Sequence, residues 1–435
     1  MSIENNSTIE QSRNMPKGDA QSIPKGWVET SLGEVVSTND DSINKNFEYS
    51  KLEYLDTGSI TENKIENFQI HTLAQAPSRA KRLIQDGDII YSTVRPNQKH
   101  YGFIKNPKEN TVVSTGFSVI RSKENSYSKF IFYWLTQNSV TDYLHQLAEQ
   151  STSAYPSIKS IDIENLSIII PKSIKEQKAI AQILTAFDDK IELLQDQNKT
   201  LETTAQTIFK EWFGKYQIGD ELPEGWRLFQ MNELVGTVNG YSYKGKELVE
   251  ESDEVLVTLK SFDRNGGFQT RGFKPFKGLP KSTQEVQIGD LVVAHTDLTQ
   301  DAEVLGNPAF IFDNGGFKKM YITMDLVKVT PKHKDISTSF LYYLMKDRVF
   351  KGHCVGYSNG TTVLHLSKKA IPEYQVFLPN DFVKVKEFSE FANVTTNKIS
   401  LNKDEIKYLK QTRDTLLPKL MSGQLRIDEF KEGAA

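Results

Sequence analysis

The chain contains a single cysteine, Cys354, among 435 residues. One thiol excludes an intramolecular disulfide framework and fits a reducing cytoplasm. No apolar run approaches the roughly 20 residues needed to cross a bilayer, so no membrane segment is expected. Residues 1–22 are rich in Ser, Asn and Gln and lack an apolar signal core; they read as a disordered tail. Positive charge is not in excess, with 53 Lys and Arg against 56 Asp and Glu. That excludes a protein coated in positive charge. It leaves room for a local basic face, which is what nucleic acid needs.

Catalytic motifs are missing as well. No GxxxxGK[ST] phosphate loop is present, which argues against a nucleotide-driven motor, and no GxGxxG follows a strand. The seven histidines are scattered and no Cys/His spacing suits zinc. His353 and Cys354 are sequence neighbours, which rarely face each other. Asn307–Pro308–Ala309–Phe310 comes close to the NPPF or NPPY of amino-methyltransferases, in which the Asn holds the target amino group and the aromatic stacks on a flipped base. The second proline is absent and no FxGxG loop lies upstream, so a turn before the strand AFIF is expected instead. The chain is expected to hold no catalytic site, metal or cofactor.

What is present is a repeat. IPKGWVETSLGEVV from Ile23 matches LPEGWRLFQMNELV from Leu222, so Trp27 corresponds to Trp226. GDIIYS (Gly87–Ser92) matches GDLVVA (Gly289–Ala294), FIFYWL (Phe130–Leu135) matches FLYYLM (Phe340–Met345), and the segments ending at Pro171 and Pro379 match. The offset grows from 199 (226 − 27) to 208 (379 − 171), which places insertions inside the copies. Short β-branched runs punctuated by Gly and Pro predict small sheets plus helices, with one amphipathic helix at Ser128–Glu149 and another at Ser337–Lys351.

Each copy ends in a long heptad stretch. Apolar positions step by four and three through Ile180, Leu184, Phe187, Ile191, Leu194, Asn198, Leu201, Ala205, Ile208 and Trp212. The second seam is Phe388, Ala392, Thr395, Ile399, Asn402, Ile406, Leu409, Arg413, Leu416 and Leu420, with Pro418 expected to kink or end it. Antiparallel pairing with layers summing to 600 sets Asn198 opposite Asn402, where the amides can exchange hydrogen bonds and penalise a slipped register. Phe187 against Arg413 is the poor layer, tolerable if the guanidinium snorkels outward. At 1.5 Å per residue, about 40 residues give a spacer of about 60 Å.

This order of motifs, given twice from Ile23 to about Gly423, resembles the specificity subunit of type I restriction–modification systems. VRPN (Val94–Asn97) and IIIPKSIKEQKAIAQIL (Ile168–Leu184) are similar to that family's recognition-domain and helix-entry motifs. The second copy departs at Lys384–Val385, where the first has Glu176–Gln177. The resemblance implies an α+β protein. Two related globular α/β DNA target recognition domains, at 23–171 and 222–379, are separated by an antiparallel two-helix coiled coil of 172–214 and 380–423. The repeat is pseudo-twofold, and a C-terminal tail follows at 424–435. It implies a non-catalytic, cytoplasmic subunit that reads a bipartite double-stranded DNA target and docks two adenine methyltransferase subunits, which hold S-adenosylmethionine. Whether endonuclease or translocase subunits join is left open, as are the bases read and the spacer length. The competing readings are a single-chain methyltransferase or nuclease, and a coiled-coil scaffold without DNA binding.

Base edges in the major groove take Arg or Lys to guanine and Asn or Gln to adenine, while phosphates take Lys, Arg, Ser, Thr and Tyr. The loop after GDIIYS offers Arg95, Asn97, Gln98 and Lys99; its counterpart offers Thr296, Asp297, Thr299 and Gln300. A second loop offers Tyr155, or Asn359 and Thr361 in the second copy, which adds an aromatic-basic cluster of Tyr241, Tyr243 and Lys244. Two acid-free basic stretches contribute Arg79, Lys81 and Arg82, and Arg264, Arg271 and Lys274; each of these also reads as a plain solvated loop. On the helices, Ile183, Leu193 and Phe209 lie off the seam and repeat as Phe391, Leu401 and Leu417. They are candidates for a subunit interface, or for packing against this chain's own domains.

Overall fold

A computed structural model describes residues 23–151, 155–262 and 267–427. The expected N-terminal tail, 1–22, lies outside the described residues, as do residues 428–435 of the C-terminal one. The chain divides into two compact units, Met1–Ile191 with Tyr408–Ala435, and Glu192–Lys407.

In the first unit, Trp27–Ser31 pairs antiparallel with Ser167–Pro171, setting Trp27 against Pro171. One four-stranded sheet has the order Val36–Thr38, Phe117–Ser122, Ile89–Ser92, Tyr101–Phe103. Another has the order Gln69–Thr72, Lys51–Leu55, Thr111–Ser114, Ala80–Leu83, its central pair parallel. The second unit repeats this element by element. Trp226–Gln230 pairs with Gln375–Pro379, and Trp226 faces Pro379. Its sheets have the orders Val235–Asn239, Leu326–Pro331, Leu291–Ala294, Pro308–Phe310, and Lys274–Pro275, Glu254–Val257, Lys319–Ile322, Glu285–Val286, again with a parallel central pair.

The GD motifs explain one shared corner. Gly87 and Gly289 adopt φ of +84° and +92°, a conformation costly for any residue with a Cβ. The adjacent carboxylates accept the amides of Gln85 and Gln287, each at 2.9 Å, closing the turn that launches the central strand. Asp88 then receives Arg121 through two 2.9 Å bonds, and Asp290 receives Lys328 at 2.7 Å.

The single amphipathic helix expected in each copy is in fact two: Ser128–Leu135 with Asn138–Glu149, and Thr338–Met345 with Arg348–Gly356. The break falls where Gln137 and Asp347 become extended, and Asp347 caps the next helix by accepting the Val349 amide at 2.8 Å. Apolar periodicity runs across such a break without registering it.

The long helices span Ile174–Phe213 and Val383–Met421. Within Glu192–Lys407 they run antiparallel. Asn402, fully buried, donates from Nδ2 to Asn198 Oδ1 and to Gln197 Oε1, both at 2.8 Å. Trp212 and Phe388 meet edge to face at 6.2 Å. Within the other unit, Ile180 and Leu184 share a core with Leu420 and Met421. Arg413 does not simply snorkel; it pairs with Asp188 at 2.7 Å, and Asp188 also accepts the Tyr133 hydroxyl at 2.7 Å. Pro418 neither ends nor interrupts the second helix, which continues to Met421.

The Glu176–Gln177 pair has a structural role. Gln177, fully buried, donates to the carbonyls of Pro171 and Asn125 and accepts the Tyr127 amide, while Glu176 accepts the Trp27 indole N–H at 3.0 Å. These bonds fasten the start of the helix to the two-stranded ribbon. In the second copy Val385 is fully buried in the apolar core, so packing replaces the polar clamp. Among the described residues no helix is long and apolar enough to cross a membrane.

Candidate nucleic-acid interface

The buried strand Ile89–Ser92 ends in a loop with unusual backbone geometry. Arg95 and Lys99, at φ of +48° and +54°, bracket the short 3-10 turn Pro96–Gln98. Left-handed backbone at a residue with a side chain costs about 1 kcal/mol or more, and persists where the surroundings impose it. Here a second loop imposes it. The Arg95 amide donates to Pro156 O and the Ile158 amide to Thr93 O, each at 2.9 Å, and Val94 bridges Ser157. The two candidate loops of the first domain are therefore one element. Arg95, exposed, lies 5.0 Å over the exposed ring of Tyr155, which orients its guanidinium. Asn97 and Gln98 are exposed beside it, whereas Lys99 is engaged by Glu62 at 3.1 Å.

The basic stretch adjoins this element through one turn. Thr115 N donates to Arg79 O, and Thr93 N to Gly116 O. Arg79 and Lys81 are exposed, Lys81 on the edge strand Ala80–Leu83. Arg82 is half-buried; its Nε has no hydrogen-bond partner and burial lowers its pKa.

In the second domain the corresponding loops also join. Thr296–Asp297 pairs with Leu364–Leu366, which pairs with Ser358–Asn359. Thr296 faces His365 where the first domain sets Val94 near Ser157; the offsets are 202 (296 − 94) and 208 (365 − 157), those of the flanking motifs. On the same count Asp297 stands where Arg95 stands. Here the expectation fails, because Thr296 and Asp297 are buried, at 4% and 2% exposure. Asp297 accepts the amides of Thr299, Val304 and Leu305 and the Thr299 hydroxyl. Burial opposes the charged carboxylate, but these bonds outweigh it and hold its pKa below the ordinary value. Thr299 is thereby a brace, while Gln300, Asn359 and Thr361 are exposed.

Sequence reasoning missed His365 and Lys368. Both are exposed, and their proximity adds to burial in lowering the pKa of His295. The repeat offset held the signal, since it puts His365 at the place of Ser157.

The rings of the aromatic-basic cluster are half-buried, and their hydroxyls bond neighbouring side chains. Tyr241 packs on Phe276 and donates to Glu247 at 2.9 Å, and Lys274 donates to the Tyr243 hydroxyl at 3.0 Å. Both tyrosines pack against a small core formed by Leu256, Phe276 and Tyr321. Lys244 and Arg271 are exposed, and Arg264 lies outside the described residues.

The six helix positions divide. Ile183 and Leu417 pack on the first domain's core, and Phe209 is buried in the second domain's, so these three serve the chain's own packing. Leu193, Leu401 and Phe391 remain 62%, 64% and 38% exposed.

Nothing that hinted at catalysis has a suitable setting. Cys354 is fully buried and its pKa is pushed up to about 12 by burial. His353 bonds the Ala370 carbonyl at 2.8 Å. Asn307 accepts Lys351 at 2.9 Å and donates to Glu303 O at 3.0 Å, which commits the amide of the methyltransferase-like tetrapeptide. Among the described residues no cluster of His, Cys, Asp or Glu could hold a metal.

Residues 24–203 match the family described as the type I restriction modification DNA specificity domain. The chain is 28% identical to the HindI type I restriction enzyme specificity subunit of Haemophilus influenzae, covering 92% of this chain and 99% of that protein. It is 24% identical to the MjaIX specificity subunit of Methanocaldococcus jannaschii, covering 80% of each. Its fold is similar to the crystal structure of the type I restriction–modification S subunit from M. genitalium, with a TM-score of 0.56, 16% identity, and coverage of 92% of this chain and 98% of that one. Residues 24–203 thus match the type I DNA specificity domain, and over most of its length the chain is similar to named type I restriction enzyme specificity subunits.

Proposed function

We propose that this chain reads a bipartite DNA target, each recognition domain contacting one half, and that it carries out no chemistry itself. The supporting observation is the joined loop pair, present in both domains with different chemistry: Arg95 with Tyr155 in one, and a buried Asp297 with exposed Gln300, Asn359 and His365 in the other. A shared frame with divergent loops suits two different half-sites. The half-sites would lie on one face of B-DNA, roughly one helical turn (about 34–36 Å) apart. Methyltransferase subunits would dock on the long helices and supply S-adenosylmethionine, with Leu193, Leu401 and Phe391 as the contact positions that the chain's own domains leave exposed.

Selection of a random duplex library by the chain assembled with methyltransferase partners tests this reading. It should enrich two short defined stretches separated by unspecified bases. Enrichment of one continuous sequence, or of none, would refute it. Equilibrium dialysis of the isolated chain against S-adenosylmethionine should show no binding; saturable binding would favour a single-chain methyltransferase.

A further inference from the structure

The loop after Asp297 is built differently from its counterpart. Between the strand pairs Ile89–Phe103 and Leu291–Phe310 the repeat offset rises from 202 (291 − 89) to 207 (310 − 103), an insertion of five residues. The insertion is organised from within. Asp297, 2% exposed, takes the amides of Thr299, Val304 and Leu305 and the Thr299 hydroxyl at 2.7–3.1 Å. From the other side the Lys351 ammonium donates to Glu303 O at 3.2 Å, to Leu305 O, and to Asn307 Oδ1 at 2.9 Å. Gly306, at φ of +75°, lies so close to Cys354 that an added Cβ would sit 2.7 Å from the Cys354 Cβ.

Desolvating a carboxylate and an ammonium to shape eleven residues is costly, and an idle surface loop needs no such scaffold. The scaffold holds Leu298, 65% exposed, Gln300, Asp301 and Glu303 outward, and of these Leu298 and Gln300 are the pair without charge. An apolar side chain kept in water on a rigid loop beside a glutamine matches one base pair well. Glutamine bonds adenine through N6 and N7, and an aliphatic group packs on the thymine methyl. Arginine, the reader of guanine, is absent at this place, because the Arg95 position is occupied by the buried Asp297.

We infer that Leu298 and Gln300 are specificity-determining residues that read an A·T pair in the second domain's half-site, while the first domain's equivalent loop reads a G·C pair through Arg95. This rests on the bipartite reading above. Asp297 and Lys351 act as positioning residues that hold the reader loop.

Leu298→Ala and Gln300→Ala alter exposed side chains and should leave the fold intact. Assembled with its partners, each variant would be measured against duplexes carrying every single-base substitution in both half-sites. Each should lose roughly tenfold or more of the discrimination at one A·T pair of one half-site, the other half-site and the melting temperature being unchanged. Arg95→Ala should relax a G·C pair in the opposite half-site. Unchanged discrimination in both loop variants, or relaxation at a G·C pair by either, overturns the inference. A wild-type assembly that shows no base preference at all would instead refute the bipartite reading beneath it.

Discussion

Arg95 combines left-handed backbone, a hydrogen-bonded amide and a guanidinium over an exposed tyrosine ring. Each of these limits where the charge can point, and a side chain that bonds a base in two places gains most from being held still. Arg95→Ala should weaken binding to the cognate duplex by about 1–3 kcal/mol and relax one position. A uniform loss across all sequences, with a flatter salt dependence, would mean a phosphate contact instead. Cys354 gives a second check on the residue account. Buried and with its pKa pushed up to about 12, the thiol should resist alkylation at neutral pH until the protein unfolds. Rapid labelling of the native protein would contradict its placement.

Among the elements, the helix seam was the most legible from sequence. Heptad spacing is a one-dimensional rule, and the sum of 600 set Asn198 opposite Asn402, which meet at 2.8 Å. Substituting Asn402→Ala removes the bonds to Asn198 and Gln197 but also a buried Oδ1 that has no partner, and Asn198 is only half-buried. The cost should therefore stay at about 1 kcal/mol, which urea unfolding would read. The two candidate loops were legible from sequence, but the burial of their side chains was not. Sequence marks Thr296 and Asp297 as polar residues in a loop; only the five-residue insertion folding back over Asp297 turns that carboxylate inward. Tyr241 and Tyr243 show the limit of composition, since an aromatic-basic cluster suits DNA and a small core alike, and these two rings are half-buried against one. The split of Ser128–Glu149 into two helices was missed because the apolar pattern survives the break at Gln137. Protonation offers a test of the Asp297 scaffold. Its pKa is depressed on folding, so its stabilisation is complete above the ordinary carboxylate value and is lost as pH falls through the lower, folded one. Amide exchange at Val304 and Leu305 should therefore keep its protection at about pH 5 and lose it only in stronger acid. Loss of protection already near neutrality would contradict the scaffold.

For the whole molecule, duplication is the organising fact: the same strand orders, ribbon and loop junction occur in both units, with the divergence concentrated in the loops. A chain of this design should be modular in what it reads. The most direct measurement is to replace Ile23–Pro171 with the equivalent domain of another specificity subunit, express the hybrid with its methyltransferase partners, and map methylated adenines across a genome. The account predicts an interrupted target in which one half changes and the other is retained. A continuous target, or a hybrid in which both halves change, would contradict it.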